Sequence, residues 1–524
     1  MATTPAFVRE ATGLVRAFSY VDAFILSIAA SGASIYTIAE QVAFVATADP
    51  GADIVNATIL GFIFFIPLAI TYFILARSMP RSGGDYVWVS RYLNPALGFM
   101  AGWGFWIGVL SGVGLLSYVQ GAVMYPVTLA SFGYALNIPS LVSAALAMSA
   151  PTNIFLQGIV MLAFVTAVTC FGAKFFARTI FAMFALVMLS TLIAVVVLVS
   201  ASHADFVNAF NNFGGTNVTY NGIISQAQSA GWSYVPLQWN ITVASIPIAM
   251  LVYVGFNFAS AVAGEVKNVS KSMIAGVVIA LLFTAIVDVA GIWFSVNLLG
   301  YQFIQASNAL GSSWPLAAPP WVPLFVSMLN RNVVVLVLFH LGWLLAQPWG
   351  CVAFLAVATR YVFAFSFDRA FPTRFADVNA KFNVPLKATA LNFVVAAIFL
   401  ALATFTSYIG LFVNLLALEA VVWLFASVVA IILPFKKREL VKSVPGIDWK
   451  IPSLSIMGFV SLILMLLTEY FAVTTPAIGP STLSANAVLV AIFVVGLLVY
   501  AARFGYCKSK GIDLKLIYSQ LPPE

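Results

Sequence analysis

Residues 29–40 read AASGASIYTIAE, and they lie inside an apolar run that covers residues 20–46. The run is long enough for a membrane-spanning helix, which takes about 20 residues. Its centre, however, holds Gly32 among serines and alanines, and glycine weakens the interior of a helix. Two explanations are open at this point. Small residues could allow a close helix–helix contact, or the helix could be broken there and expose main-chain groups.

A second apolar run carries a similar interruption. Residues 253–268 read YVGFNFASAVAGEVKN, with Gly255 and Asn257 inside the run. Two interrupted spans that stand five helices apart predict a five-plus-five inverted repeat, in which two broken helices meet at the membrane midplane. The free amides of such helix ends suit a carboxylate, and their unpaired carbonyls suit an ammonium group or a cation. The two interruptions together therefore favour a substrate site.

The composition indicates an integral membrane protein. Of the 524 residues, 62% are hydrophobic and 8% are charged, whereas soluble domains carry about 25% charged residues. Mean hydropathy is +1.03. Because the apolar runs are much longer than the roughly 10-residue strands of a membrane barrel, we predict helices. About twelve spans are predicted, at residues 20–46, 54–76, 96–128, 153–172, 176–200, 241–263, 273–298, 332–360, 387–406, 409–434, 453–474 and 484–504.

The basic residues predict the orientation. If the N-terminus is inside, all 24 Lys and Arg residues except Arg331 fall in inner segments, as the positive-inside rule requires. Both termini are then cytoplasmic, with tails at residues 1–19 and 505–524, in a multi-pass protein of the cell membrane. The longest outer loop, residues 200–240, is polar and holds a glycosylation sequon at Asn217. Residues 138–150 are too few to cross and are predicted to be interfacial or re-entrant.

Three inner segments resemble one superfamily of transporters. They are PRSGGDYVWVSRYLNPALGFMAGW at residues 80–103, GFNFASAVAGEVKNVSKS at 255–272 and ATRYVFAFSFDRAFPTRFADVNAKFNVPLKA at 358–388. In combination they resemble the amino acid–polyamine–organocation (APC) superfamily. The resemblance implies the LeuT-type fold with alternating access. Its ten-helix core would cover residues 20–434, in repeats of about 20–200 and 241–434, followed by two accessory helices at 453–504.

The resemblance also implies a set of substrate-binding residues, namely Ala30, Ser31, Gly32, Ala33, Ser34, Leu251, Val254, Gly255 and Phe256. In this set, the amides of residues 32–34 would hold a substrate carboxylate. Carbonyls near Ala30, Leu251 and Val254 would take the substrate amine. Phe256 would act as a gate, and Ser34 stands where relatives have a glycine.

Inner-gate positions are implied by the turn after the sixth span. They are Glu265, Lys267 and Asn268, in the sequence GEVKN. Relatives often have a second glutamate where this chain has Gly264, and a proline where it has Val269. The resemblance therefore leaves the ion pairs of the inner gate open.

Few ionisable side chains lie deep in the apolar spans. Asp288, Glu419 and Glu40 are the candidates for proton coupling, because a charge at the membrane centre costs at least about 2.5–3.5 kcal/mol and is rarely kept without a function. The alternative for each is a neutral acid that hydrogen-bonds to a neighbouring helix. That alternative is stronger for Glu469, and His340 is more typical of a packing histidine. Some proton-coupled relatives carry a lysine in the fifth span, but the span here has none.

These observations favour a secondary active transporter of amino acids or related amines, coupled to protons. The open alternatives are an uncoupled facilitator or exchanger of the same fold, and a membrane-embedded substrate sensor. An enzyme is disfavoured, because the histidines are only His203 and His340 and the acids are scattered. The expected partners are a small-molecule substrate, a proton or another coupling cation, and the lipid bilayer. No cofactor, metal ion or nucleic acid is expected.

Overall fold

The computed structural model describes residues 13–213, 218–406, 415–474 and 483–522. These residues are almost entirely helical, and extended pairing is limited to two isolated bridges, Phe18 with Val266 and Ser82 with Val262. Within the described ranges, eleven helical segments are long and apolar enough to cross a membrane. The predicted all-α, multi-pass membrane architecture is confirmed.

The helices are α1 Tyr20–Ser31, α2 Ile35–Ala48, α3 Ile54–Ser78, α4 Gly84–Tyr92, α5 Pro95–Val119, α6 Tyr125–Ala135, α7 Pro139–Met148, α8 Pro151–Cys170, α9 Ala173–Ser200, α10 His203–Asn211, α11 Tyr220–Ser229, α12 Trp239–Ala244, α13 Ile246–Ala249, α14 Phe258–Ala261, α15 Val269–Met273, α16 Ala280–Leu299, α17 Tyr301–Ala309, α18 Val322–Leu329, α19 Val333–Phe367, α20 Leu386–Phe405, α21 Leu415–Lys436, α22 Ser453–Thr474, α23 Leu483–Ser509 and α24 Leu514–Tyr518. One turn of π-helix joins α5 to α6, and another joins α15 to α16.

The sixth predicted span, residues 241–263, is divided into short pieces. They are α12, α13, a 3-10 turn at Met250–Tyr253 and α14. Pro247 has no amide for an internal helical hydrogen bond, and Gly255 has a φ of +95° that other residues rarely adopt. Because of these breaks the segment is not one of the eleven long apolar helices. Counted as a broken helix, it brings the number of spans to the predicted total of about twelve.

The eighth predicted span ends earlier than the helix in the structure. The eighth predicted span covers residues 332–360, but α19 continues past Arg360 to Phe367. The hydropathy prediction ends the span at the charged Arg360. In the structure this arginine lies in the protein interior, where it forms an ion pair with Glu265. The start of the tenth span, predicted at residue 409, lies outside the described residues.

The outer segment at residues 200–240 is not simply a polar loop, and that prediction is wrong where α10 and α11 form. Phe206 and Phe210 are spaced one helical turn apart on α10, and both pack against Phe303 and Phe325. The two helices therefore cover α17 and α18 with an apolar face. The sequon residue Asn217 lies outside the described residues.

The centre of the molecule is the second half of α19, where every residue from 346 to 367 is buried. Helix α1 packs against α19 and also against α14 and α16. This arrangement brings the interrupted first and sixth spans into contact deep inside the helix bundle.

Candidate substrate site at two broken helices

The first span breaks at Gly32. Helix α1 ends at Ser31, Gly32 takes a φ of +83°, and its amide donates to the Ile28 carbonyl over 2.7 Å. Helix α2 starts again at Ile35. The break predicted from AASGASIYTIAE is therefore present, and it is held by its own capping contacts.

The hydroxyl of Thr37 organises this break. Its Oγ1 accepts from the Ser34 amide at 3.1 Å and lies 2.9 Å from the Gly32 carbonyl oxygen. The same atom lies 3.0 Å from Oδ1 of Asp288 in α16. Asp288 thus contacts the break through Thr37. No sequence signal singled out this threonine.

The sixth span breaks against the first. A Cβ atom placed on Gly255 would lie 2.3 Å from the Cβ of Ala30, which is far inside van der Waals contact. Gly255 therefore has two reasons to be glycine: its positive φ and the close approach of α1. The two interruptions predicted from sequence touch each other.

A cavity of about 90 Å³, partly open to solvent, lies at these breaks. Six of the nine predicted substrate-binding residues line it, namely Ala30, Ser31, Gly32, Ser34, Leu251 and Val254. The remaining three lie outside the lining. Ala33 is fully buried, Gly255 faces Ala30, and Phe256 packs against Phe65 and Trp423.

Most amides of the first break are already bonded. The Ile35 amide donates to Oγ1 of Thr191 at 3.0 Å, while those of Gly32 and Ser34 donate to the Ile28 carbonyl and to Thr37. In the chain as described, the Ala33 amide is the one at positions 32–35 without a protein acceptor. Fewer main-chain amides are therefore free to bind an anion than predicted, because the hydroxyl groups of Thr37 and Thr191 accept hydrogen bonds from two of the other amides.

Polar side chains complete the cavity. The Tyr36 hydroxyl donates to Oε1 of Glu40 at 2.6 Å, and both residues line the cavity. Gln347 also lines it, and its buried Nε2 has no hydrogen-bond partner among the described residues. An unpaired buried donor is costly, so a donor at a cavity wall points to a ligand. The sequence reasoning missed Gln347, although an amide inside an apolar run could have indicated it.

The cavity faces away from the termini. Its lining follows α2 from Tyr36 through Glu40 to Phe44, and Phe44 is the farthest of the three from the break. We call the opposite side, where residues 13–19 and 510–522 lie, the termini face.

The termini face is closed by a buried ion pair and two strand-like hydrogen bonds. The Arg360 guanidinium donates to both carboxylate oxygens of Glu265, at 2.9 and 2.8 Å. The main-chain amide of Phe18 donates to the Glu265 carbonyl at 3.1 Å, and the main-chain carbonyl of Phe18 accepts from the Lys267 amide at 2.9 Å. Asn268 instead caps α15, where it accepts from the Lys271 amide. The structure thus places two of the three predicted inner-gate residues, Glu265 and Lys267, in this closure.

A second buried pair lies beside it. Arg91 donates to both oxygens of Asp368 at 2.6 Å, and Tyr86 donates to the same carboxylate at 2.7 Å. The C-terminal helix α24 covers this pair, with the Tyr518 hydroxyl 3.1 Å from that of Tyr86. Arg91 and Asp368 lie in two of the motif segments, but their pairing across the chain had no local signal.

The buried acids and the histidine differ in their partners. Asp288 is bonded to Thr37 through one oxygen only, whereas neither carboxyl oxygen of Glu419 has a partner among the described residues. Glu469 is partly exposed on α22. The ring nitrogens of His340 lie 3.0 and 3.2 Å from hydroxyls of Ser327 and Thr128, so this residue is a satisfied packing histidine.

Comparison with known proteins gives a consistent family. Residues 18–499 match the family described as amino acid permease. The chain is 25% identical over 424 residues to the branched-chain amino acid permease BcaP of Bacillus subtilis, covering 80% of this chain and 82% of that one. It is 24% identical over 395 residues to the methylthioribose transporter of the same organism, covering 74% and 75%.

A further relative is an uncharacterised amino-acid permease of Schizosaccharomyces pombe, 26% identical over 344 residues. That match covers 65% of this chain and 57% of the relative, so the chain spans less than two thirds of its length. The family match, by contrast, covers nearly the whole chain. The chain belongs to the amino acid permease family of the APC superfamily, whose members are transporters and not enzymes.

Proposed function

We propose that the protein is a secondary active transporter that carries neutral, apolar amino acids by alternating access and couples this to protons. One observation carries the proposal. A cavity lies where two broken helices meet, it opens away from the termini, and a buried ion pair closes the termini face. Such a geometry exposes a midplane site to one side of the membrane at a time. We further propose that the membrane is the cell membrane and that both termini are cytoplasmic.

The main chain supports recognition of the amino acid backbone. The Ala33 amide and the first turn of α2 present partial positive charge, which suits the substrate carboxylate. The carbonyls of Ala30 and Val254 have no hydrogen-bond donor from the turns or side chains described, and they suit its ammonium group. Phe256 would support the second break from behind and gate access to the termini face.

The cavity wall supports an apolar substrate side chain. Leu115, Leu116 and Phe354 line it together with Leu251, and no Lys or Arg of the described ranges does so. A negatively charged substrate side chain would find no counter-ion there. The family resemblance to a branched-chain amino acid permease agrees with this substrate class.

Proton coupling is supported by Asp288 and Glu419, which are buried among the spans, and by Glu40, which lines the cavity. No basic side chain of the described residues forms an ion pair with any of the three. A buried acid without a counter-ion is stable only as the neutral, proton-bound form. An uncoupled facilitator or an exchanger would need no such group.

Uptake into proteoliposomes tests the proposal. With the outside acidified, we expect labelled leucine to accumulate above its external concentration, and an uncoupler to abolish the accumulation. Leucine that only equilibrates across the membrane under both proton and sodium gradients would show a facilitator instead. No uptake of any member of a panel of apolar, acidic and basic amino acids would contradict amino acid transport.

Gln347→Leu tests the cavity. A hydrogen bond contributes about 0.5–1.5 kcal/mol, so we expect the KM for leucine to rise roughly 2- to 13-fold. The same substitution at Gln226, which is exposed on α11, serves as the matched control and should leave KM unchanged. An unchanged KM in Gln347→Leu would remove this amide from the substrate site.

A further inference from the structure

Asp288 on α16 is a buried acid that is connected to the substrate cavity by one side chain. It is fully buried, and its Oδ2 has no hydrogen-bond partner among the residues described. Its Oδ1 lies 3.0 Å from the Thr37 hydroxyl. Thr37 lines the cavity together with Ser34, whereas Asp288 does not. Asp288 therefore contacts the cavity wall from behind, through Thr37.

The Thr37 hydroxyl has one proton and three acceptors within reach. It accepts from the Ser34 amide, and its oxygen lies 2.9 Å from the carbonyl oxygens of Gly32 and Ser34. The third acceptor is Asp288, but a hydroxyl donates only one hydrogen bond. If Asp288 is ionised, it takes that bond, because bonds to charged groups are the stronger ones. If Asp288 is protonated, it donates to Thr37, which then donates to a carbonyl of the break.

The same contact places Asp288 at the N-terminal end of α2. Thr37 is the third residue of this 14-residue helix, so it lies where the helix carries partial positive charge. The substrate carboxylate is proposed to bind at the same end, beside the Ala33 amide. No basic side chain of the described ranges forms an ion pair with Asp288 that would balance a second negative charge. The helix end thus suits either an ionised Asp288 or a substrate carboxylate, but not both.

We propose that Asp288 is the coupling acid, and that the substrate carboxylate binds at the first break only while a proton neutralises Asp288. Thr37 is a positioning residue, since it holds the carboxyl group at the start of α2 and connects it to the cavity. The inference rests on the proposed proton-coupled transport of amino acids. It assigns the coupling to Asp288, and not to Glu40 or Glu419.

This position makes the proton and the substrate share one access route. In the structure the cavity opens away from the termini, so both enter from that side. When the site opens at the termini face instead, the substrate leaves, the O–H bond of Asp288 breaks and the proton passes to water on that side. The ionised Asp288 then takes the place of the substrate carboxylate at the end of α2, and the empty carrier returns. Each cycle moves one proton with one substrate.

Two other titratable groups of the described chain act on Asp288. Glu40 on α2 does so across the cavity wall, although its own hydrogen bond comes from Tyr36. Tyr253, in the 3-10 turn of the sixth span, is the other. Both Glu40 and Asp288 could therefore give a pH dependence to substrate binding, and the experiments have to separate them.

Leucine binding measured against pH tests the competition without a membrane gradient. In the wild type we expect the Kd to rise with pH, approaching about tenfold per pH unit once Asp288 loses its proton. In Asp288→Asn the Kd should not depend on pH, because the amide stays neutral. Glu469→Gln, on the accessory helix α22, is the control and should keep the wild-type dependence. A wild-type Kd that is independent of pH would overturn the proposal, as would a dependence that Glu40→Gln removes and Asp288→Asn keeps.

Thr37→Val and Thr37→Ser test the positioning role. Valine has nearly the same shape but no hydroxyl, so an ionised Asp288 loses its donor and holds its proton more tightly. We expect the Kd for leucine to begin its rise at a higher pH in Thr37→Val, and serine to restore the wild-type curve. A purely structural threonine would change the melting temperature without moving the curve along the pH axis, and that result would contradict the connection.

Transport assays test the coupling itself. In Asp288→Asn we expect leucine exchange to persist and proton-driven accumulation to be lost, whereas Glu469→Gln should accumulate leucine normally. Normal accumulation in Asp288→Asn would overturn the assignment. So would its loss in Glu419→Gln together with its retention in Asp288→Asn.

Infrared difference spectroscopy separates a failure of this inference from a failure of amino acid transport. If the wild type binds no leucine at any pH, amino acid transport fails, but the spectrum of wild type minus Asp288→Asn still reports on the proton. We expect that spectrum to show the carbonyl stretch of a neutral carboxylic acid, which disappears as the pH rises. A band that is absent or does not change with pH would refute the coupling role. So would a band that sodium removes when it replaces choline, since Asp288 would then bind a metal cation.

Discussion

Gly255→Ala is expected to abolish leucine binding and uptake. The added methyl group would overlap the Cβ of Ala30 at 2.3 Å, and the residue would have to keep a φ of +95°. A backbone conformation of this kind costs a non-glycine residue of order 1–3 kcal/mol before any clash is counted. Relief of the overlap would push the sixth span away from α1 and so change the walls of the cavity. Uptake and ligand-induced thermal stabilisation in detergent would measure the loss.

The control for this prediction is Gly505→Ala. Gly505 lies in helix α23 and is exposed, and a methyl group added to it would meet no described atom within 4 Å. Alanine there is expected to stabilise the helix by about 0.5–1 kcal/mol and leave uptake unchanged. Combining Ala30→Gly with Gly255→Ala removes the closest overlap and should restore part of the binding. Wild-type affinity in Gly255→Ala alone would mean that the two breaks do not form the substrate site.

The second large effect is expected from Arg360→Gln. This substitution leaves the Glu265 carboxylate unpaired. The carboxylate is also buried, since the side chains of Arg360 and Glu265 are only 10% and 4% exposed in the ion pair. Breaking a buried pair by removing one partner typically costs about 3–5 kcal/mol. We expect a lower melting temperature and a termini face that opens more readily. The opening can be measured as faster modification of a cysteine introduced in place of Phe18.

The double variant Glu265→Gln with Arg360→Gln should recover most of the lost stability, because it leaves no charge unpaired. Lys387→Gln provides the control. It breaks a pair with Asp377 whose side chains are 58% and 46% exposed, and exposed pairs contribute about 0–1 kcal/mol. A loss for Arg360→Gln no larger than that for Lys387→Gln would contradict a structural role for the buried pair.

The sequence predicted the parts of this fold that depend on single residues. Gly32 and Gly255 indicated both breaks, because glycine in an apolar span is a strong local signal, and the all-helical membrane architecture followed from composition. The pairing of Glu265 with Arg360 could not be predicted in the same way, because the two residues stand far apart in the chain. The amphipathic helix α10 was missed because hydropathy averages conceal a face formed by Phe206 and Phe210.

The site itself was predicted only in outline. The expectation of free amides at the first break did not anticipate that hydroxyls of Thr37 and Thr191 would bond two of them. Both are ordinary residues of apolar helices, and only the packing of α2 against α9 and α16 gives them a role. Gln347 likewise takes its role from a cavity that several distant segments enclose.

The broken helices also bear on how substrate range can change over evolutionary time. Nearly every residue type has a main-chain amide and a main-chain carbonyl, so few point substitutions can remove the binding groups that Ala33 and Val254 provide. Variation is instead free to act on the wall, at positions such as Leu116 or Gln347. Substitutions in the wall can thus change which amino acid is transported, while the main-chain groups that bind the carboxylate and ammonium common to all amino acids stay the same.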